Sequence, residues 1–383
     1  MASLADYLPP TLSNDTIRAF ALSQRLPNPI SIQSLNVTAE YHSIYVLFFN
    51  PDDAKAISPN LRPISPKGPV DLTENEVAVM NWLRKNTTVP VPEVIRFDVT
   101  SNNVLQHEFT VLERVRGTAL HEIYGRLSQE QLEQIVDQII DIVEQLHHRS
   151  WDGVSGLTIA PGSGEVIPGR ILEETYWQAP DIAKHFPSES VETFNIHGPY
   201  ESYTAYITAL IRVYQHAIRL HSSLEPYRDL LPRLDALVNT LARHPKLNYT
   251  RYVLAHKDLH MANIMYDEYS ERITGILDWE FSGIVPIQRW DPSRAFLWNG
   301  QRNARAVAEQ KRIRAIFQKR CRARGVGQLL LDEPGYTSSL QETMQNGISY
   351  LRAIIEVCPW GQRQDEVGLW RTEVEDCLEA FGV

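Results

Sequence analysis

Two regimes of hydrophobic patterning divide the chain. In the first part the apolar positions come in short runs between polar, turn-forming residues, which is the pattern of strands. Residues 36–50 predict two strands joined by a close turn, with Val46-Leu47-Phe48-Phe49 the clearest run. Phe109 to Val115 predicts another strand, leading into Arg116-Gly117. Helical spacing takes over after Thr73. Val77, Met80 and Leu83, with Val79 and Trp82 adjoining, share a face, and Thr73 and Glu76 have the spacing of a capping box. The same signals return at Ser128 and Gln131, ahead of an apolar stripe from Leu132 through Ile135, Ile139 and Val143 to Leu146. That helix should be the spine of a larger lobe. Residues 151–200 are rich in glycine, proline and aromatics and show little periodicity, after which helical patterns cover about Tyr203 to Leu220 and Leu230 to Leu241. Strands come first and helices later, and 383 residues are long enough for two lobes, each with its own core.

One stretch, Arg251 to Phe296, mixes both patterns and concentrates polar groups. Tyr252-Val253-Leu254-Ala255 reads as a buried strand, and His256 to Asn263 then packs two imidazoles, a carboxylate and a carboxamide into a tight segment. Two strand-like runs, Ile264-Met265-Tyr266 and Ile273 to Leu277, flank a polar turn, and the second ends on Asp278-Trp279-Glu280. A loop, a hairpin and a strand end can bring Asp258, Asn263 and Asp278 to one point. Two carboxylates and a carboxamide oxygen are hard oxygen ligands, suited to a partly hydrated magnesium ion completed by phosphates rather than to zinc. Phosphoryl transfer needs such a set: one carboxylate to orient a hydroxyl, another with an amide to hold metal.

The order His256-x-Asp258-x-x-x-x-Asn263, followed by a hydrophobic strand ending in Asp278-x-Glu280, resembles the catalytic centre of the aminoglycoside phosphotransferase and choline kinase family, small-molecule relatives of the protein kinases. The segments AEYHSIY, TENEVAVMNW, LAHKDLHMAN and GILDWEFSG resemble a fungal subgroup of that family. The resemblance implies an α+β, protein-kinase-like fold in two lobes, a smaller β-rich one over residues 1–116 and a larger, mainly helical one over residues 117–383, and an ATP- and magnesium-dependent transfer to a small-molecule alcohol. By the same match Asp258 is the catalytic base, His256 braces its loop, and Asn263 and Asp278 hold magnesium. His260 stands where protein kinases carry a lysine, as it does in the small-molecule kinases. Only twelve residues separate Asp278 from Asp291, too few for an activation loop and peptide platform, which opposes an atypical protein kinase.

On the nucleotide side the family pattern is less complete. There is no G-x-G-x-x-G, so phosphate cradling falls to Glu40-Tyr41-His42-Ser43, with Ser43 the candidate contact. Asn50 to Pro69 contains five prolines and reads as loop. Arg62 best matches the phosphate-clamping cation, with Lys55 and Lys67 as rivals and Pro63 removing a ladder donor beside it. Glu76 is the expected partner of that cation and Glu74 the substitute. The backbone of Glu113 and Val115 would meet the adenine edge. Between the spine helix and the catalytic loop, Trp177, Asp181, His197 and Tyr200 are candidates for acceptor contact, with packing the plainer account of each.

Composition narrows the partners. A net charge of -10 over 383 residues argues against general nucleic-acid binding and would tolerate a cationic substrate. Three widely spaced cysteines make no disulfide framework. The start of the chain lacks signal-peptide character and no apolar run is long enough to span a bilayer, so a cytoplasmic protein is expected. His147 and His148 read as dipole-compatible residues closing the spine helix, and the cluster Lys311, Arg312, Arg314, Lys319, Arg320, Arg322 and Arg324 as a solvated helix face. The incomplete nucleotide side leaves a second class open, a catalytically impaired binding or regulatory protein on the same fold.

Overall fold

The computed structural model describes residues 10–35, 42–50, 60–63, 71–296, 303–330 and 338–383. Its first part runs α1 (Asn14–Ser23), β1 (Ser31–Leu35), β2 (Ile44–Phe48), β3 (Asn60–Pro63), α2 (Leu72–Asn86), β4 (Val94–Asp98) and β5 (Phe109–Leu112). The five strands form one antiparallel sheet in the order β1-β2-β3-β5-β4. Ile17 and Phe20 of α1 pack on Leu47, Leu61, Phe109 and Val111 to make its core.

Two sequence expectations are corrected here. The proline-strewn stretch contains a strand: Leu61 and Arg62 sit opposite Val111 and Thr110 in β3, with Pro63 as the last residue. A proline at a strand end removes one donor without interrupting the ladder before it, and the Pro63 carbonyl still accepts from the Ser43 N–H at 3.3 Å. The capping box at Thr73 does not form. α2 starts at Leu72 after a left-handed Asp71, so Thr73 lies inside the first turn and Glu76 is released from the helix end. The box at Ser128 and Gln131 does form.

The larger part continues with β6 (Thr118–Ala119), α3 (Leu120–Ile123), α4 (Gln129–His148), β7 (Gly156–Ile159), β8 (Val166–Gly169), α5 (Ala179–His185) and α6 (Val191–Phe194). After these come α7 (Tyr203–Leu220), α8 (Leu231–Leu241), β9 (Tyr252–Ala255), β10 (Ile264–Asp267), β11 (Arg272–Ile276), β12 (Gly283–Pro286), α9 (Ala304–Ala323), α10 (Ser339–Val357) and α11 (Gln364–Ala380). The aperiodic segment thus holds a β7–β8 hairpin and two short helices. The strand that reads as Phe109 to Val115 stops at Leu112, and the chain crosses to the larger part through Gly117. Its φ is +107°, and a Cβ there would lie 2.5 Å from the Tyr266 carbonyl oxygen, so only glycine fits.

α2 belongs to both parts: Val79, Met80 and Leu83 join the large core built on α4, α7 and α10. The basic cluster is not simply solvated. Arg320 reaches Glu133 at 3.1 Å and pairs with Asp137, while Arg324 reaches Glu144 at 3.0 Å and pairs with Asp141, fastening α9 to the polar face of α4. His147 differs as well. Burial, with Arg251 nearby, pushes its imidazole down to about 3, so it packs neutral against Trp290 and offers no cation to the helix end. Among the described residues no helix is long and apolar enough to cross a membrane.

Candidate active site

The catalytic-loop residues are held by the strands around them. β9 pairs with β12 and β10 with β11, which presents the loop after β9 beside the strand end after β11. His256, buried against Trp279, spans that gap: its Nε2–H donates to the Leu277 carbonyl at 2.8 Å. Burial pushes its imidazole down to about 4, so the bracing ring is neutral. Asn263 links the two ends again. Its Nδ2 donates to the backbone oxygen of Asp258 at 3.0 Å and to Asp258 Oδ2 at 3.1 Å, and its own carbonyl accepts from the Leu277 N–H at 2.8 Å.

Asp258 keeps one further partner, His260, whose Nε2 lies 3.4 Å from Oδ2. The Ala262 N–H donates to His260 Nδ1 at 3.1 Å, so the ring turns its Nε2–H toward the carboxylate. Burial pulls the Asp258 carboxyl upward, but the His260 hydrogen bond and charge outweigh it and hold it below its ordinary value. Asp258 is therefore ionised at neutral pH, as an acceptor of a hydroxyl proton must be.

Asp278 sits at φ +68°, a turn that aims its side chain back into the cleft. Its Oδ1 is buried with no hydrogen-bond donor, and Arg62 Nη2 is 3.7 Å away. Burial, then repulsion from Glu280, pushes the carboxyl up to about 7. Such a group gains from a cation. Asn263 has spent its amide hydrogens on Asp258, and Oδ1 is the side-chain atom left to ligate a metal. Asp278 and Asn263 thus fit a magnesium ion completed by phosphate and water oxygens. Among the described residues no cluster of three His, Cys, Asp or Glu forms a cage from protein alone.

Arg62 and Glu76 meet as expected: Arg62 Nη1 donates to Glu76 Oε1 at 2.5 Å, and both are buried. Glu74 is committed elsewhere, accepting from the Thr158 hydroxyl at 2.5 Å. Lys55 and Lys67 lie outside the described residues. Two residues join this group that the motif reading leaves out. Glu280 lies 3.7 Å from Arg62 Nη2, and His42 Nε2 pairs with Glu280 Oε2. Glu280 had a signal, since it is the last position of D-x-E; His42 lies in the Glu40–Ser43 segment read as a phosphate cradle, but nothing there pointed to a carboxylate partner. Burial, above all, lifts the Glu280 carboxyl to about 8 and lowers His42 to about 3.

On the hinge side, the Glu113 N–H donates to the Glu93 carbonyl at 2.8 Å, which leaves the Glu113 carbonyl for a ligand. Val115 packs its side chain on Gly275. Of the acceptor candidates, Trp177 is buried among Phe186 and Phe194, His197 Nε2–H donates to the Glu192 carbonyl at 2.7 Å, and Tyr200 pairs by its backbone with Val154. Asp181 lies in α5.

The raised carboxyls set a pH dependence. In the unfolded chain both titrate near 4, so the folded protein binds extra protons up to the values it holds, about 7 and about 8. Stability of the nucleotide-free protein therefore falls as pH rises through that range. The thermal midpoint should drop by roughly 2 °C or more between about pH 7 and 8.5, and Glu280→Gln should flatten the decline. A flat wild-type profile in differential scanning calorimetry would mean the pair is ionised throughout.

Known proteins agree with this architecture. A subtelomeric hrmA-associated cluster protein of Aspergillus fumigatus is 24% identical over 306 residues, 64% of this chain and 60% of that protein. Clavilactone A biosynthesis cluster protein Y of Ampulloclitocybe clavipes is 27% identical over 223 residues, 56% of this chain and 50% of its own length. The chain thus spans about half to three-fifths of the curated relatives it matches. A thermostable mutant of aminoglycoside phosphotransferase APH(4)-Ia, solved as a ternary complex with ADP and hygromycin B, superposes with a TM-score of 0.50 at 12% identity, covering 95% of this chain and 98% of that one, and shares the kinase-like two-lobed α+β fold. The model of the phosphotransferase enzyme family matches residues 61–289, more than half of the 383, from Arg62 in the sheet through Asp258, Asn263 and Asp278: the chain belongs to that family.

Proposed function

We propose that the chain is an ATP- and magnesium-dependent small-molecule kinase that transfers the terminal phosphate of ATP to a hydroxyl group. The observation that carries this reading is the convergence of an ionised Asp258, the free oxygens of Asn263 and Asp278, and the buried Arg62–Glu76 pair on one cleft. Residues 1–116 cover the nucleotide, and residues 117–383 carry the catalytic loop and the acceptor. The Glu113 carbonyl and the Val115 N–H meet the adenine edge. Arg62, oriented by Glu76, faces the phosphates, and the Ser43 hydroxyl contacts them.

Asn263 and Asp278 would hold magnesium, which would supply charge neutralisation on the phosphates. Asp258 orients the acceptor hydroxyl and takes its proton as the oxygen attacks the γ-phosphorus, the bond to the β,γ-bridging oxygen breaks, and ADP leaves. The phosphate ester, ADP and one proton account for every atom. His260, together with Asn263, holds the Asp258 carboxylate in place. The Ampulloclitocybe relative bears the name of a biosynthesis cluster, which supports a role in fungal specialised metabolism or detoxification.

Calorimetric titration of ATP, first with magnesium and then with EDTA, tests the reading. Micromolar, magnesium-dependent binding is the expected result. Absence of both heat and thermal stabilisation at millimolar ATP would favour the catalytically impaired alternative. Arg62→Ala should weaken ATP by about tenfold and AMP by less than twofold, because a guanidinium on the β- and γ-phosphates contributes only where those groups exist. Equal weakening of both nucleotides would place Arg62 away from the phosphates.

A further inference from the structure

Behind the catalytic loop lies a recess that the kinase machinery does not use. It is lined by Tyr176, Tyr206, Tyr214, Arg289, Arg352 and Glu356, with about 30 Å³ of room at the heart of a partly open hollow of about 440 Å³. The site is built from distant parts of the chain: the segment before α5, the end of α6, helix α7, the turn after β12, and helix α10.

Two of its polar side chains are left without hydrogen-bond acceptors. The hydroxyls of Tyr176 and Tyr206 are buried and find none, while Arg352 Nε and Glu356 Oε1 pair with each other at 3.3 Å. Two such hydroxyls around one cavity are rare in a folded protein, because each forgoes its hydration without compensation. Both are donors. Burial keeps the Tyr206 hydroxyl protonated, lifting it to about 12, and acts in the same direction on Tyr176 and Tyr214.

The charge balance agrees with the donors. Glu173 is engaged by Lys257 Nζ at 3.2 Å, and Glu356 is partnered in charge by Arg352. Arg289 stacks over the Tyr206 ring, 5.4 Å from its centroid, and no carboxylate among the described residues lies within ion-pair distance of it. A guanidinium and several hydroxyl donors facing a small void call for an acceptor-rich anion. The void has room for a carboxylate group, and Trp177 and Phe194 offer apolar walls to the body that carries it.

From this juxtaposition we infer that the acceptor is a hydroxyl-bearing carboxylic acid with an aromatic or apolar body, its carboxylate held by Arg289 and the tyrosine hydroxyls. The inference rests on the kinase reading for its chemistry and on the recess for its ligand. Glu173 joins the two sites: it walls the recess and fixes Lys257, the residue before Asp258. A cationic substrate, which the overall acidic charge would tolerate, is disfavoured at this recess.

The test uses three probes of one shape, 4-fluorobenzoate, 4-fluorobenzamide and 4-fluorobenzylamine, titrated into the full chain by fluorine NMR. The acid should bind at least about tenfold more tightly than the amide and the amine, the discrimination of a charge-assisted hydrogen bond. Tyr206→Phe should weaken the acid by about fivefold with little change in the thermal midpoint, since in the free protein the hydroxyl faces only Arg289 and has no acceptor for its own hydrogen. Arg289→Gln should abolish the preference for the acid. Equal binding of the three probes, preference for the amine, or no binding of the acid would overturn the inference; so would a Tyr206→Phe protein that loses stability and keeps its affinity, since the recess would then hold structural water. ATP and magnesium are titrated into the same samples. Nucleotide binding without acid preference removes only this acceptor class, whereas acid preference without nucleotide binding removes the kinase reading and leaves the acid site.

Discussion

Asp258→Asn should lower phosphate transfer by about 10²–10⁴-fold, the range for loss of a positioned general base, while changing magnesium-nucleotide affinity by less than about threefold. The substitution preserves shape. Asn263 still donates to the backbone oxygen of residue 258 and His256 still clamps Leu277, so the loop and the metal ligands stay where they are. What is lost is the negative charge that aligns a hydroxyl and receives its proton. The measurement is basal ATP hydrolysis, in which water takes the place of the acceptor, together with calorimetric nucleotide affinity on the same preparation. Equal loss of rate and affinity would show that Asp258 belongs to the metal site instead.

Asp278→Ala should have the opposite profile. Magnesium-dependent affinity for ATP should fall by about 100-fold or more, since a metal held by two protein oxygens loses the charged one. The folded protein should survive the change, and even gain stability near pH 8, because a buried oxygen without a donor and a carboxyl lifted to about 7 are both removed. Binding of ATP in EDTA should hardly change. A variant with unaltered magnesium dependence would move the metal to Glu280.

The C-terminal half of the site is legible in the sequence because its residues are fixed by local geometry. Asp258 and Asn263 belong to one loop, and Asp278 ends the strand of the adjoining hairpin, so spacing alone brings them together. The other half depends on contacts that spacing does not encode. His42 reaches Glu280 from far along the chain, and the role of Glu76 hinges on where α2 starts, a matter of one left-handed residue at Asp71. β3 escapes notice because five prolines around it outweigh a strand of four residues, Asn60–Pro63, whose partners lie about fifty residues on in β5. The recess at Arg289 is less visible still. Its walls come from five separate segments, and nothing in a lone tyrosine or arginine of α7 or α10 distinguishes it from packing.

Asn75 spends its whole carboxamide on cross-bracing. Its Nδ2 donates to the carbonyls of Glu280 and Ser282 at 2.9 Å each, and its Oδ1 accepts from the Leu157 N–H at 2.8 Å, so one side chain on α2 rivets that helix both to the strand end behind the metal ligands and to the β7–β8 hairpin. Protein kinases are throttled by swinging the equivalent helix outward and parting its glutamate from the clamping cation. Here such a swing would strip three buried backbone groups of their partners at once. The side chain that fixes the strand end carrying Glu280 thereby also fixes the helix that brings Glu76 to Arg62, and the two halves of the cleft are set against each other by one carboxamide.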